Sequence, residues 1–207
     1  MIKDRYSGFE QDYLANTQNA IKANINEELE SLQAKRELIL EERKYLGEYN
    51  YELKEDEIQN LLKVEHVDTN AYVYSLNKIT KLGKLSNDPY FARFDFVELD
   101  EDEDEDELPE AEDADNYYLG ITTLRDPLSG RILIFDWRTP IASLYYESNP
   151  GAASYTAPSG EIRGTLFGKR RYTFSKGKLI KYCDVDMPSD DEFLNSALAA
   201  HADSHMK

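Results

Sequence analysis

The first 88 residues carry apolar positions at helical spacing. One heptad series is fully apolar and comprises Ile25, Leu32, Ile39 and Leu46. The neighbouring series is polar and contains Glu28, Lys35 and Glu42. An apolar stripe this narrow is typical of a two-stranded coiled coil or of one helix in a hairpin, because a helix that faces a broad core needs a wider stripe.

A second helical pattern follows, with apolar or aromatic residues at Ile58, Leu62, Tyr72, Leu76, Ile79 and Leu82. Gly47 is a natural end for the first helix, and a polar stretch at 66–70 predicts a bend or restart in the second. Two long segments joined by a short break predict an antiparallel helical hairpin over residues 1–88. At ~1.5 Å per residue its helices would be ~50 Å long, so we expect the hairpin to project.

The predicted tip of this hairpin is acidic, and its carboxylates are those of Glu48, Glu52, Glu55, Asp56 and Glu57. These residues are the candidate partner-binding site. Two interpretations stay open for such a hairpin. It can place carboxylates in a cavity of a partner, or it can be a spacer or dimerisation arm whose turn is merely solvated. The sequence leaves the oligomeric state open.

From Pro89 onward the pattern changes to strands. Pro89 ends the helix at Asp88 or earlier, and alternating or apolar runs predict strands at 91–98, 117–124, 131–136, 161–174 and 178–185. The turn at 126–130 predicts a hairpin of the second and third strands, and Lys176-Gly177 predicts another of the last two. Residues 150–160, rich in Gly, Ala, Ser and Pro, are predicted to be a loop.

The predicted fold class is therefore α+β. A long antiparallel helical hairpin (coiled coil) over 1–88 precedes a small, mostly antiparallel β domain over 89–187. A C-terminal helix over 188–207 follows, because Ser189 and Glu192 have the spacing of a capping box.

The charge of the chain is concentrated in one tract. Thirteen acidic residues and no basic residue lie between Glu98 and Asp115, out of a formal net charge of -17. A block of this kind repels itself and buries nothing, so we expect a disordered acidic insertion at 99–115. It can be a plain solvated insertion, or it can mimic nucleic acid on a basic surface of a partner.

The sequence offers few candidate catalytic or ligand-binding motifs. Gly164 to Arg170 fails as a phosphate loop, because only three residues separate its glycines and no Ser or Thr follows Lys169. His201 and His205 are predicted to be exposed terminal residues and not zinc ligands. Cys183 is predicted to be a packed thiol. We find no catalytic constellation and no cofactor or metal site, so the chain alone is not expected to be an enzyme.

A short basic run, Lys169-Arg170-Arg171, is flanked by aromatic residues and can meet a phosphate backbone or a local acidic partner. Residues on alternating strand faces cannot all point the same way. No apolar run approaches the ~20 residues that span a bilayer, and no signal peptide is recognisable, so the cytoplasm is the expected compartment and no membrane contact is expected.

The sole tryptophan lies in Asp136-Trp137-Arg138, at the end of an apolar strand. We predict a structural role for these three residues as a corner. The block also carries a family resemblance, through the motifs Asp88-Pro89-Tyr90-Phe91-Ala92-Arg93-Phe94-Asp95-Phe96, Tyr118-Leu119-Gly120-Ile121, Asp136 to Tyr146, Gly151 to Tyr155 and Lys169-Arg170-Arg171-Tyr172. In their order and spacing these motifs cover residues 88 to about 185. The chain resembles the N-terminal region of the HelD group, superfamily 1 helicase-like ATPases related to helicase IV and UvrD-type helicases.

The resemblance implies a partner and a role. In the HelD group the helical hairpin inserts into the secondary channel of bacterial RNA polymerase, and the whole protein uses ATP to release nucleic acid and recycle the polymerase. ATP, Mg²⁺ and DNA are therefore expected for the motor of the parent protein, and RNA polymerase for this chain. On this interpretation the motor elements would begin where the chain ends.

Overall fold

The computed structural model of the chain describes residues 6–49, 51–99 and 109–185. These residues fall into two compact units. One comprises the residues up to Pro89 together with Arg125–Arg131, and the other comprises Tyr90–Leu124 and the residues from Ile132 onward. The combination of two long helices and a mostly antiparallel sheet confirms the predicted α+β class.

The first unit is built on helices α1 (Tyr6–Tyr49) and α2 (Glu55–Asn87). They are 44 and 33 residues long, or about 66 and 50 Å. Helix α2 ends before Asp88, as Pro89 predicts. Two details of the prediction are wrong. Gly47 lies inside α1, and α2 continues without a break through residues 66–70, because neither segment contains a proline and helix packing overrides weak local breakers.

The two helices bury both apolar and polar side chains. The apolar ones are Ala20, Ile21, Ile39, Leu82 and Leu85, and the polar ones include Glu28 and Ser75. Lys78 Nζ lies 2.5 Å from Glu28 Oε2, and Lys35 Nζ donates a hydrogen bond of 2.5 Å to Ser75 Oγ.

Nearer the tip, Arg43 Nε donates to Glu65 Oε1 at 2.7 Å. In these three pairs the residue number rises along α1 from 28 to 43 while it falls along α2 from 78 to 65, so the helices are antiparallel. Glu28 and Lys35 of the polar heptad series therefore face α2, where Lys78 and Ser75 are their partners.

The second unit is built on one seven-stranded sheet. Its strands are β1 (Ala92–Glu98), β2 (Asp115–Gly120), β3 (Leu124–Arg125), β4 (Ile132–Asp136), β5 (Gly151–Ala157), β6 (Gly160–Ser175) and β7 (Lys178–Asp184). The strand order is β3-β4-β2-β1-β6-β5, and β7 also pairs with β6. A 3-10 turn at Pro140–Ala142 and the short helix α3 (Ser143–Glu147) connect β4 to β5.

The sheet corrects two sequence predictions. Strands β2 and β4 are parallel neighbours, with Leu119 opposite Phe135, and do not form a hairpin with each other. The turn at 126–130 instead joins the two-residue strand β3 to β4, its neighbour in the sheet, and Asp126 N–H donates to Arg131 O across the turn at 2.9 Å. The predicted hairpin therefore forms with a shorter first strand. Residues 151–157 are not a loop but strand β5, antiparallel to β6. Small residues have low strand propensity, yet backbone pairing with a long neighbouring strand places them in the sheet.

The two faces of the sheet differ in chemistry. One face carries the apolar core, which contains Ala92, Phe94, Phe96, Leu119 and Leu166 together with Ile141, Ala142, Leu144 and Tyr145 from the β4–β5 connection. The opposite face carries Arg93, Tyr118, Arg170 and Tyr172, which the strand register places side by side. Each of these four side chains is buried.

The predicted insertion at 99–115 is structured at both of its ends. Leu99 N–H donates to Arg163 O at 2.9 Å, residues Ala111–Asp113 form a 3-10 turn, and β2 begins at Asp115. Residues 100–108, which hold the acidic run itself, lie outside the described residues. The same is true of the predicted C-terminal helix over 188–207, including His201 and His205.

Candidate functional site

The tip of the helical hairpin is formed by a tight reversal between α1 and α2. The N–H groups of Glu52 and Leu53 both donate to Tyr49 O, at 2.9 and 3.2 Å, and this closes the end of α1. Lys54 N–H donates to Glu57 Oε2 at 3.0 Å, so a side chain of the first turn of α2 caps the start of that helix. The reversal is thus fixed by local hydrogen bonds at both helix ends.

All five predicted acidic residues lie at this tip, and all are exposed. Glu55, Asp56 and Glu57 occupy the first turn of α2, where negative charge is favourable because it faces the positive end of the helix dipole. Glu48 lies in the last turn of α1, 3.9 Å from Lys44 Nζ. The structure therefore brings the five carboxylates to one end of the hairpin.

The tip carboxylates do not form a preformed metal centre. Carboxylates are hard oxygen ligands suited to Mg²⁺, but within the described ranges no group of three or more His, Cys, Asp or Glu side chains is placed to hold a metal ion. The arrangement presents separate, solvated carboxylates. It can interact with cationic groups or with a metal that a partner holds.

Tyrosines at the same tip were missed by the sequence prediction. Tyr51 is 97% exposed, and the partly exposed rings of Tyr45 and Tyr49 in α1 are tilted against each other with centroids 4.9 Å apart. The signal was present in the sequence, because Tyr45 and Tyr49 have i,i+4 spacing and Tyr51 follows at once. Exposed tyrosines are enriched in protein interfaces, so the tip offers aromatic surface as well as charge.

Asp136, Trp137 and Arg138 form a corner at the end of β4. The Asp136 carboxylate accepts hydrogen bonds from Arg138 Nε at 2.8 Å, from Arg138 Nη2 at 2.6 Å and from the Arg138 backbone N–H at 2.9 Å. The hydrogen bond and charge of Asp136 raise the pKa of Arg138. The Asp136 carboxylate thus binds both the side chain and the backbone of Arg138, and this closes the turn.

The same corner is tied to the β2–β3 connection by backbone groups. Trp137 N–H donates to Gly120 O at 3.0 Å, and Asp136 N–H donates to Thr123 Oγ1 at 3.3 Å. The Trp137 side chain is only partly buried. These contacts are those of a structural turn, and the role of the three residues as a fold marker stays a prediction.

The basic run does not form a surface patch. Lys169 Nζ donates to the backbone carbonyls of Tyr145 and Ser148, while Arg170 Nε donates to Asp184 Oδ1 at 2.7 Å. Lys169 and Arg170 are both buried, and successive residues of β6 point to opposite faces. Cys183 is exposed, so the prediction of a packed thiol is wrong.

Comparison with known proteins identifies the chain. A family model described as "DNA helicase IV HelD, N-terminal domain" matches residues 8–198, which is nearly the whole sequence. No curated protein matches the chain. Among the described residues, no helix is both long enough and apolar enough to cross a membrane.

Proposed function

Because the chain belongs to the family of HelD N-terminal domains, we propose that it is the arm through which a HelD-like helicase engages bacterial RNA polymerase. In this proposal the helical hairpin enters the secondary channel of the polymerase and its tip approaches the catalytic centre. The outcome is release of nucleic acid and recycling of the polymerase. ATP, Mg²⁺ and DNA are handled by the motor of the parent protein.

The observation that carries the proposal is the build of the hairpin. Two packed helices are narrow, and at about 50 Å the shorter one is long enough to reach deep into a channel. The tip is closed by local hydrogen bonds and exposes five carboxylates together with Tyr51. Such a tip can approach a bound metal or basic groups, because its acidic side chains are exposed.

The role of the tip carboxylates is tested by charge removal. In the tip variant, Glu48, Glu52, Glu55 and Glu57 become Gln and Asp56 becomes Asn. We expect this variant to bind RNA polymerase at least ~10-fold more weakly in a pull-down or interferometry titration, because several charge contacts are lost together.

A matched control removes the same number of charges from the exposed side of α1. Its substitutions are Asp12→Asn and Glu27→Gln, Glu30→Gln, Glu37→Gln and Glu41→Gln, all at exposed positions. The control is expected to bind like the unmodified chain. Equal weakening by both variants would show that only net charge matters and would contradict a specific role for the tip.

The acidic-mimic alternative is separated by a third variant. Replacing residues 100–108 with a short Gly-Ser linker removes the acidic run and leaves the described ends of β1 and β2 in place. The proposed function predicts retained polymerase binding. Loss of binding that is also steeply salt-dependent would favour the acidic mimic, because exposed charges are screened by salt.

A further inference from the structure

One side of helix α2 carries a stripe that is acidic at one end, apolar in the middle and basic at the other end. Its members follow one another at spacings that alternate between three and four, and they are Glu57, Asn60, Val64, Val67, Ala71, Tyr74, Lys78 and Lys81. Residues at these spacings lie on one face of a helix. We call this set the α2 stripe.

The middle of the α2 stripe is exposed although its residues are apolar. Val64 is 49% exposed, Val67 is 64% exposed and Tyr74 is 70% exposed. Ser75, which is buried and accepts a hydrogen bond from Lys35 of α1, marks a different side of the helix. Packing of α2 against α1 therefore leaves the apolar middle of the stripe uncovered. A run of exposed apolar residues on one helix face is typical of an interaction surface.

The α2 stripe is complementary to itself when its direction is reversed. Position 69 is its midpoint, and three pairs of residues lie equally far from that midpoint: Val67 and Ala71, Val64 and Tyr74, and Glu57 and Lys81. In two antiparallel copies of α2 related by a twofold axis at position 69, the members of each pair would lie level with each other. Apolar residues would then meet apolar residues, and each charged end would meet the opposite charge.

The paired residues match in size and in charge. Val67 of one copy would lie level with the small Ala71 of the other, so the two helices could approach closely at the centre. At the ends Glu57 of one copy would lie level with Lys81 of the other, and both residues are exposed. A parallel pair would instead place like charges side by side at both ends, which is unfavourable. The charges therefore select the antiparallel arrangement more than they add affinity.

We propose that two copies of the chain associate antiparallel through the α2 stripe, with its four apolar residues at the centre and Glu57 beside Lys81 of the other copy at both ends. A second copy is the occupant that fits, because the stripe is complementary to its own reverse. The contact is ~36 Å long and one helix wide in each copy, so the association is weak, with a dissociation constant in the micromolar range. This dimer does not depend on the proposed function, because self-association is measured without polymerase.

The apolar centre is tested by sedimentation velocity of the full chain over a ~100-fold range of micromolar concentrations, with a reducing agent because Cys183 is exposed. Val67→Glu is expected to weaken the dimer ~10-fold or more, since it places a charge in an apolar contact. Val73→Glu is the matched control, because Val73 is 47% exposed on α2 but lies outside the stripe. The control is expected to dimerise like the unmodified chain. Equal weakening by both variants would contradict the proposal.

The antiparallel register is tested by exchanging charges. Lys81→Glu is expected to weaken the dimer ~3- to 10-fold, because it then faces Glu57 of the other copy, whereas Lys22→Glu, the same change at an exposed position of α1, is expected to leave it unchanged. Glu57→Lys is expected to act like Lys81→Glu, with circular dichroism as a check because Glu57 also caps α2.

Mixing the two charge variants gives the sharpest result. An equimolar mixture of Lys81→Glu and Glu57→Lys chains is expected to form a heterodimer more tightly than either variant self-associates, because both end pairs again join opposite charges. Equal weakening by Lys81→Glu and Lys22→Glu, or a mixture no tighter than its components when both are folded, would overturn the register. An unmodified chain that is monomeric at every concentration would overturn the proposal and leave the stripe to a helix of a different protein.

Discussion

At the scale of single residues, Asp136 organises the turn at the end of β4. Its carboxylate receives three N–H groups of Arg138, and its backbone N–H reaches Thr123. The Asp136 side chain is 15% exposed and that of Arg138 is 65% exposed. The two ends of this ion pair are therefore not equivalent, because the aspartate organises the turn while the arginine lies mostly in solvent.

This asymmetry predicts different costs for the two substitutions. Asp136→Ala should lower the free energy of unfolding by about 1–2 kcal/mol, because it leaves the turn N–H without its acceptor. Arg138→Ala should cost less than about 1 kcal/mol, as an exposed pair does. Urea unfolding followed by tryptophan fluorescence measures both. Equal costs would show that the ion pair, and not the turn, provides the stability.

It was easier to predict from the sequence which residues form local motifs than which distant residues contact each other. The sequence drew attention to Asp136, Arg138 and the tip carboxylates because each stands in a recognisable local pattern. The approach of Arg93 and Arg170 was not predictable in this way, because it depends on the β1–β6 register between residues far apart in sequence. The bulge between Asp95 and Phe96 adds an irregularity that no local pattern encodes.

At the scale of elements, the helical hairpin holds glutamates in two kinds of surroundings. Glu28 lies beside the opposite charge of Lys78, whereas Glu42 lies beside the like charges of Asp68 and Glu65. The hydrogen bond from Lys78 lowers the pKa of Glu28. Burial, followed by the neighbouring Asp68 and Glu65, raises the pKa of Glu42. A buried polar layer is most useful for fixing the register of two helices, and here it also makes hairpin stability depend on pH.

The sign of that dependence follows from Glu42. Its pKa is higher in the folded hairpin than in the unfolded chain, so the folded state holds its proton more tightly and stability falls as pH rises through the folded pKa. Glu42→Gln should therefore stabilise the hairpin at pH 7 by about 0.5–1 kcal/mol. The gain should shrink as pH falls and disappear below the unfolded value of about 4.5.

Thermal unfolding by circular dichroism at pH 7 and pH 4 measures this effect. Glu41→Gln is the control, since Glu41 is exposed on the same turn of α1. A stabilisation by Glu42→Gln that persists unchanged at pH 4 would exclude proton linkage. An equal effect from Glu41→Gln would show that the carboxylates Asp68 and Glu65 are not its cause.

Element type was predicted well, and element boundaries and partners less so. The heptad pattern anticipated α1 and a second helical spacing of apolar residues anticipated α2, because a helix shows its periodicity directly in the sequence. Gly47 was wrongly predicted to end α1, because a glycine is only a weak helix breaker and α1 continues to Tyr49. Strand β5 and the parallel β2–β4 pair were missed because strand pairing is a long-range property.

At the scale of the whole molecule, the family match covers residues 8–198 and so includes both the helical hairpin and the sheet. The sheet supplies the Asp136 corner and buried ion pairs such as Arg93–Asp95, whereas the exposed acidic and tyrosine side chains considered for partner binding lie at the hairpin tip. The proposed division of labour is therefore a contacting helical arm and a supporting β unit.

The central claim, that the hairpin tip enters the secondary channel of RNA polymerase, is tested most directly by site-specific photo-crosslinking. A benzophenone amino acid replaces Tyr51, which is 97% exposed at the tip, and in a separate chain it replaces Tyr74, which is 70% exposed along α2. After irradiation with RNA polymerase, the crosslinked peptides are mapped by mass spectrometry. The account predicts that the Tyr51 probe crosslinks to residues lining the inner secondary channel and that the Tyr74 probe does not reach them. Tyr51 crosslinks confined to the outer surface of the polymerase, or none at all from a chain that binds it, would contradict the account.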